Sequence, residues 1–179
     1  MSITLEKLTE DELNTRILKE RAKILARPIA DEAPEECITV LHFQLAYEQY
    51  AIETKYIREA LFIKEITPLP LSPKFVVGVV NVRGDIMSAL DIRKFFNLAG
   101  EPINDLNRLL VISDNTTAFG ILVDRIRDIK EIPLVSLRMS DNLNTGIKEE
   151  FIKGIIEDNI IVLDGEKLIA SPSIIVNQF

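Results

Sequence analysis

The sequence predicts a mainly β protein: two small five-stranded barrels packed side by side, preceded by an N-terminal amphipathic helix. Three observations lead there. A helical period runs over residues 9–26, a linker follows to residue 36, and the period changes at Ile38. From that point short β-prone runs recur, broken by Gly, Pro, Asp or Asn, in two sets of about five over roughly 140 residues. The chain has 179 residues, 47% hydrophobic and 27% charged, enough for a packed core in one ordinary domain or two very small ones.

The expected division is an N-terminal helix and acidic linker over 1–36, a first barrel over 37–98, and a second barrel with a C-terminal segment over 99–179. Thr9-Glu10-Asp11-Glu12 has the form of a capping box, in which the Thr9 hydroxyl and the Glu12 side chain each satisfy the other's amide. Behind it Leu13, Ile17, Ile24 and Leu25 fall on one face, so a helix is predicted over 9–26. Its apolar face packs on its own domain or on a partner. Pro28 stops it, because the ring excludes the preceding residue from helical geometry, and Asp31-Glu32-Ala33-Pro34-Glu35-Glu36 follows as linker.

Ile38 to Leu45 and Tyr50-Ala51-Ile52 read as a hairpin broken at Ala46-Tyr47-Glu48. Pro68, Pro70 and Pro73 mark an irregular crossing loop that cannot donate ladder bonds at those points. The run from Val76 to Val82 is almost wholly apolar and β-branched, which predicts burial on both faces. Arg83-Gly84-Asp85 makes a turn, Gly84 supplying positive φ, and Ile86 to Leu90 returns. In the second half, Arg108–Ser113 and Ala118–Val123 flank a turn at Asp114-Asn115, which tolerate left-handed geometry. Ile126, Ile129 and Ile132 alternate with charges at a spacing of three, imperfect for a strand. Phe151–Glu157 and Ile160–Leu163 form a last pair around Asp158-Asn159.

Composition excludes several function classes. One cysteine, Cys37, forbids an internal disulfide and a cysteine-based metal cluster, and one histidine, His42, removes the usual acid–base and metal constellations. A net charge of -7 opposes nucleic-acid binding, which needs a positive field. No segment reaches the ~20 apolar residues of a membrane span, and the first residues lack a basic, then apolar, leader. A cytoplasmic protein is expected. Gly78 and Gly84 match neither a phosphate loop nor a dinucleotide fingerprint. Cys37 with His42 lacks the orienting group a nucleophile pair needs, so His42 is expected to be an exposed or hydrogen-bonded strand residue. The pairs Asp124/Asp128 and Asp85/Asp91 are expected to be solvated loop carboxylates. No catalytic, cofactor-binding or metal-binding residue is assigned.

From Thr67-Pro68-Leu69-Pro70 through Gly78-Val79-Val80-Asn81-Val82-Arg83-Gly84, the sequence resembles the CheW family of chemotaxis coupling proteins. Phe43-Gln44-Leu45, Ile57-Arg58-Glu59-Ala60-Leu61, Leu90-Asp91-Ile92-Arg93, Gly120-Ile121-Leu122-Val123-Asp124-Arg125-Ile126 and Phe151-Ile152-Lys153-Gly154 recur in the family's order. Ile161-Val162-Leu163-Asp164 with Lys167-Leu168-Ile169 looks like its closing strand and a short C-terminal helix. The resemblance covers about residues 37–170. The departure is Met87-Ser88-Ala89-Leu90, where the family commonly carries a Pro; its loss changes the local backbone, so that strand is expected to offer a partner a different edge.

The resemblance implies a CheW-like fold of two five-stranded barrels about a shared apolar seam. It implies a non-enzymatic adaptor, without cofactor, linking the cytoplasmic tips of methyl-accepting chemoreceptors to the regulatory domain of a CheA-like histidine kinase. Such a protein is monomeric alone, and reaches membrane arrays only through its receptors. Arg83, with Val82, matches the receptor-coupling turn. Ile57, Glu59 and Gly78 match kinase-binding positions. The bland readings beside these are a turn arginine paired with Asp85 or Asp91, core packing for Ile57, a solvated face for Glu59 and close backbone packing for Gly78. Two further readings stay open: a scaffold of a surface-motility or twitching pathway, or the adaptor part of a CheV-type coupling protein.

Overall fold

The structure is a computed structural model and describes residues 36–63, 65–100, 102–104, 106–139 and 147–174. The helix expected over 9–26 and its linker lie outside the described residues, apart from Glu36. The described strands are β1 (Cys37–Leu45), β2 (Glu48–Glu53), β3 (Ile57–Phe62), β4 (Val76–Val82), β5 (Asp85–Leu90), β6 (Arg108–Ser113), β7 (Ala118–Val123), β8 (Arg125–Pro133), β9 (Ile152–Ile156) and β10 (Ile160–Leu163). Two short helices, α1 (Ile92–Phe95) and α2 (Gly165–Ala170), follow β5 and β10. Each is capped by the aspartate before it: Asp91 accepts from the Arg93 amide and Asp164 from the Lys167 amide, the usual remedy for orphan donors at a helix start.

The strands form two five-stranded sheets. Sheet I runs β8-β1-β2-β10-β9 and sheet II runs β3-β6-β7-β5-β4. In both, the strands pair antiparallel, antiparallel, parallel, antiparallel across that order. The fold is therefore an internal repeat in which β1–β5 correspond to β6–β10. Each sheet is closed on itself by the segment after its crossing strand. Thr67 exchanges two backbone bonds with Val79 of β4, at 2.9 and 2.8 Å, and Arg138 does the same with Ile155 of β9.

This topology corrects the division at residue 98. Each half gives two strands to one sheet and three to the other. The reason lies in β2 and β7, whose two edges are both occupied, by β1 and β10 or by β6 and β5. The chain leaving either strand must cross over, and β3 and β8 accordingly pair with the opposite half's hairpin.

Burial follows the strand period of two. Along β1, Leu41, Phe43 and Leu45 face a seam that they share with Leu110, Ile112, Ile121 and Val123 from sheet II. Val40 points the other way, into the sheet I interior with Ala51, Ile132, Ile160 and Val162. In sheet II, Val80, Val82, Met87, Leu109, Val111 and Leu122 fill the corresponding interior. Strands buried on both faces are thus the central ones, β7 and β10 most completely. The expectation that β4 is buried on both faces is corrected: it is a terminal strand of sheet II, Val77 and Val79 are only half-buried and Asn81 is exposed. In the Met87-Ser88-Ala89 departure, Met87 and Ser88 pair with Val80 and Val79 of β4, and Ala89 pairs on both sides, with Gly78 of β4 and Gly120 of β7.

Charges pin the seam. Arg93, Asp91 and Asp124 form one ionic cluster, with Nε–Oδ1 2.9 Å to Asp91 and Nη1–Oδ1 2.9 Å to Asp124. Glu53, at the end of β2, receives Lys153 Nζ at 2.5 Å and Lys55 Nζ at 2.8 Å. Burial alone would raise the Glu53 pKa, but the hydrogen bonds and charges of Lys153 and Lys55 outweigh it and hold the carboxyl below its ordinary value. A depressed folded-state pKa gives stability that is present above the unfolded value, about 4.3, and is lost as pH falls through the folded one. Glu53→Gln is expected to be less stable than the parent at pH 7, with the gap closing below about pH 4. Urea melts at pH 7 and pH 3 read this directly, and a gap that persists unchanged at pH 3 refutes the ion-pair account.

Candidate protein-interaction site

The β4–β5 hairpin turns on two residues, Arg83 and Gly84, both at positive φ, 53° and 99°. That is the signature of a type I′ turn, whose twist matches the flanking strands. The Asn81 side chain supports it, its Oδ1 accepting from the Gly84 amide at 2.8 Å. The turn sends neighbouring side chains opposite ways. Val82 is buried in the sheet II interior, and the Arg83 side chain is 76% exposed.

Arg83 lies against β3. Its Nε donates to Glu59 Oε2 at 3.0 Å, and one turn residue further on Asp85 Oδ2 receives Arg58 Nη2 at 2.8 Å. Two alternating ion pairs thus stitch the β3 edge to the hairpin tip. Exposed pairs of this kind contribute little to stability, about 0–1 kcal/mol each, so their sign pattern matters more for what they present. Beside them a groove of about 320 Å³ opens into sheet II, floored by Leu61, Ile63, Ile66, Val80, Val82 and Leu109. Phe62 stands at its rim, 67% exposed, under the Arg108 guanidinium, 3.9 Å from the ring centroid. An apolar floor, an exposed aromatic and arginines at the rim are the composition of a protein-docking surface.

The remaining candidates fall elsewhere. His42 is buried and hydrogen-bonded, 2.7 Å from Asp128 and 2.8 Å from Gln49, while Cys37 is exposed at the start of β1. The expectation of solvated carboxylates is corrected for Asp91 and Asp124, while Asp85 and Asp128 stand more than half exposed. Asp91 is 3% exposed and shares Arg93 with Asp124, Asp85 pairs with Arg58, and Asp128 pairs with His42. Among the described residues no group of three or more His, Cys, Asp or Glu is arranged to hold a metal ion.

The family description "CheW-like domain" matches residues 39–173. The chain belongs to the CheW family. It is 26% identical over 144 residues to the chemotaxis protein CheW of Treponema pallidum, covering 76% of this chain and 85% of that protein. The Helicobacter pylori CheW is 30% identical over 141 residues, with 74% and 85% covered. FrzA of Myxococcus xanthus is 25% identical over 95 residues, 53% of this chain and 59% of that protein. The crystal structure of the scaffolding protein TtCheW from Thermoanaerobacter tengcongensis superposes with a TM-score of 0.66 at 25% identity, covering 72% of this chain and 90% of that one. The chain is thus a member of a family of chemotaxis scaffold proteins, and no described helix is long and apolar enough to cross a membrane.

Against the CheW pattern, the structure brings some expected site residues together and separates others. Glu59 and Arg83 touch, although one matches a kinase-binding position and the other a receptor-coupling one. The two matched positions therefore share one surface. Ile57 is half-buried against the seam core. Gly78 is buried and has no side chain to present, and Val82 is buried at the floor of the groove. A Cβ on Gly78 would meet the Thr67 carbonyl oxygen at 2.2 Å, so close backbone packing is the role the geometry gives it. The Arg58–Asp85 pair and the groove floor went unread in the sequence. Arg58 and Glu59 sat inside the matched segment, but nothing local links them to residues some 25 positions on.

Proposed function

We propose that the chain is a non-enzymatic adaptor that couples the cytoplasmic tips of chemoreceptors to a CheA-like histidine kinase. The observation that carries the reading is Arg83. It stands out on a strained turn, uses Nε on Glu59, and directs a planar fork of donors toward whatever covers the apolar groove. A receptor helix laying an apolar face into that groove, with a carboxylate or carbonyl for Arg83, is a helix-in-groove mode of recognition. Glu59 and Ile57, one strand away, are the kinase side of the reading, so the ion pair joins the two contacts. The adaptor changes kinase autophosphorylation in the presence of receptors and turns nothing over itself. The 25% identity to FrzA favours, as a second reading, the same role in a chemosensory pathway other than chemotaxis.

The test separates charge from backbone. Arg83→Gly keeps positive φ at no steric cost and removes the whole side chain, guanidinium included. Titration with a soluble receptor-tip fragment is expected to show affinity about 10- to 150-fold weaker, the loss of one set of charge-assisted bonds at roughly 1.5–3 kcal/mol. Binding of the kinase regulatory domain should fall less. Unchanged receptor-tip affinity, or equal losses to both partners with a lowered Tm, removes the receptor assignment from Arg83.

A further inference from the structure

Ile129 is 64% exposed, although Ile126 and Ile132 on the same strand pack into the cores. The β8 register shows why. Ile132 pairs with Ile38, Lys130 with Val40 and Ile129 with Leu41, but the next pair is Ile126 with Phe43. Strand β8 advances three residues where β1 advances two, which is a β-bulge at Arg127 and Asp128, opposite His42. The bulge inverts the strand's phase: Ile126 faces the seam, and Lys130 and Ile132 face the sheet I interior.

The bulge has an alternative site on the same strand. Placed beyond Ile129, it would leave the Ile126–Phe43 and Ile132–Ile38 pairs in place. Ile129 would then stand opposite Val40, where half-buried Lys130 stands now, and Asp128 would stand beside Leu41. Apolar burial favours that second phase, since it hides Ile129. Polar contacts at the bulge favour the first. His42 lies on the inward face with Val40 and Ala51, 7% exposed, where the corresponding register position in sheet II is Val111. Its Nδ1 donates to Asp128 Oδ1 at 2.7 Å, and Nε2 lies 2.8 Å from Gln49 Oε1. Arg127 Nη2 donates to Gln44 Oε1 at 2.8 Å. Both bulge side chains are thus received by alternate residues of β1, and moving the bulge would strand His42 inside the sheet without its carboxylate, which is costly in a low-dielectric interior.

We propose that His42, Asp128 and Gln49, with the Arg127–Gln44 bond, form a latch that holds β8 in the first of two phases, and that the exposure of Ile129 on the outer face is what the latch controls. The device is independent of the adaptor reading. The test follows Ile129 methyl groups by NMR in the parent, in Asp128→Ala and in His42→Val. Asp128 is half exposed, so its truncation leaves no cavity. Expected in both variants are new nuclear Overhauser contacts between Ile129 and Val40, loss of the Leu41–Ile129 contact, and loss of Ile129 relaxation by a soluble gadolinium chelate. Asp128→Asn keeps an acceptor for His42 and is expected to restore the parent pattern. If Asp128→Ala retains the Leu41–Ile129 contact and Ile129 stays open to the chelate, the apolar residues alone set the bulge and the latch is refuted, whether or not His42→Val folds.

Discussion

Gly78→Ala is expected to destabilise the domain by about 3–5 kcal/mol, from overpacking of 1–3 and two net backbone bonds of about 1 each. The added Cβ would lie 2.2 Å from the Thr67 carbonyl oxygen and 2.8 Å from Ile66 Cγ2, and the first of these is backbone that cannot rotate away. Thr67 is also the residue that closes sheet II, bonded both ways to Val79. Moving it opens the closure. Gly154→Ala is the internal control from the equivalent strand. Its nearest contacts are Leu137 Cδ2 at 3.1 Å and the Arg138 carbonyl at 3.3 Å, so a flexible side chain can yield, and a smaller loss is expected. Denaturant midpoints of the two variants decide it: Gly78→Ala with a parent-like midpoint refutes the closure argument. Gly78→Asp adds an ionised group with no partner and is expected to lose its fold. A loss of kinase binding on that substitution therefore says nothing about a contact at this position.

Much of this was legible in the residues, and the gaps have physical causes. The β class, the hairpin at Ala46-Tyr47, the turn at Arg83-Gly84 and the short helix after Leu163 all rest on local chemistry, and local chemistry is what a sequence displays. Which strands share a sheet is a pairing property. Alternation along β1 shows that both its faces are covered; it does not show that one cover is the seam and the other a sheet interior, so the halves looked like separate barrels. The spacing of three between Ile126 and Ile129 was the visible trace of the bulge, without its partner His42. At the candidate site, the need for positive φ at Gly84 was readable, while the same demand on Arg83, and its pairing with a glutamate 24 residues earlier, came only with the register. Asp124 read as a loop carboxylate because Arg93, which holds it, lies 31 residues away.

That arginine sets the other large expected effect. Arg93→Met is expected to cost about 3–5 kcal/mol, the usual result of leaving buried charge uncompensated, and to lower Tm by roughly 6–20 °C for a domain of this size. Arg93 is 4% and Asp91 3% exposed, and Arg93 donates to Asp91 from Nε and Nη2. Burial by itself disfavours its charged form, but the bonds to Asp91 and the charges of Asp91 and Asp124 more than offset this and hold its pKa above the ordinary value. Asp124 carries the link onward. Its Oδ1 also accepts from Asn107 Nδ2 at 2.7 Å, and its Oδ2 accepts from the Ala46 amide at 2.6 Å. One guanidinium thereby ties the helix after β5 and the end of β7, in sheet II, to the β1–β2 turn of sheet I. Arg93→Lys keeps the charge without the planar fork and is expected to recover only part of the loss. The double variant Arg93→Met with Asp91→Leu removes the buried pair together, and well-packed apolar replacements for such pairs are often neutral. It is expected to be more stable than Arg93→Met alone, short of the parent by what Asp124 has lost and by the Asp91 cap of α1. Thermal melts of the three variants at one pH check the order, and an Arg93→Met melt within 1 kcal/mol of the parent, on the order of a single ordinary hydrogen bond, would show that the seam is held by its apolar contacts and not by this cluster.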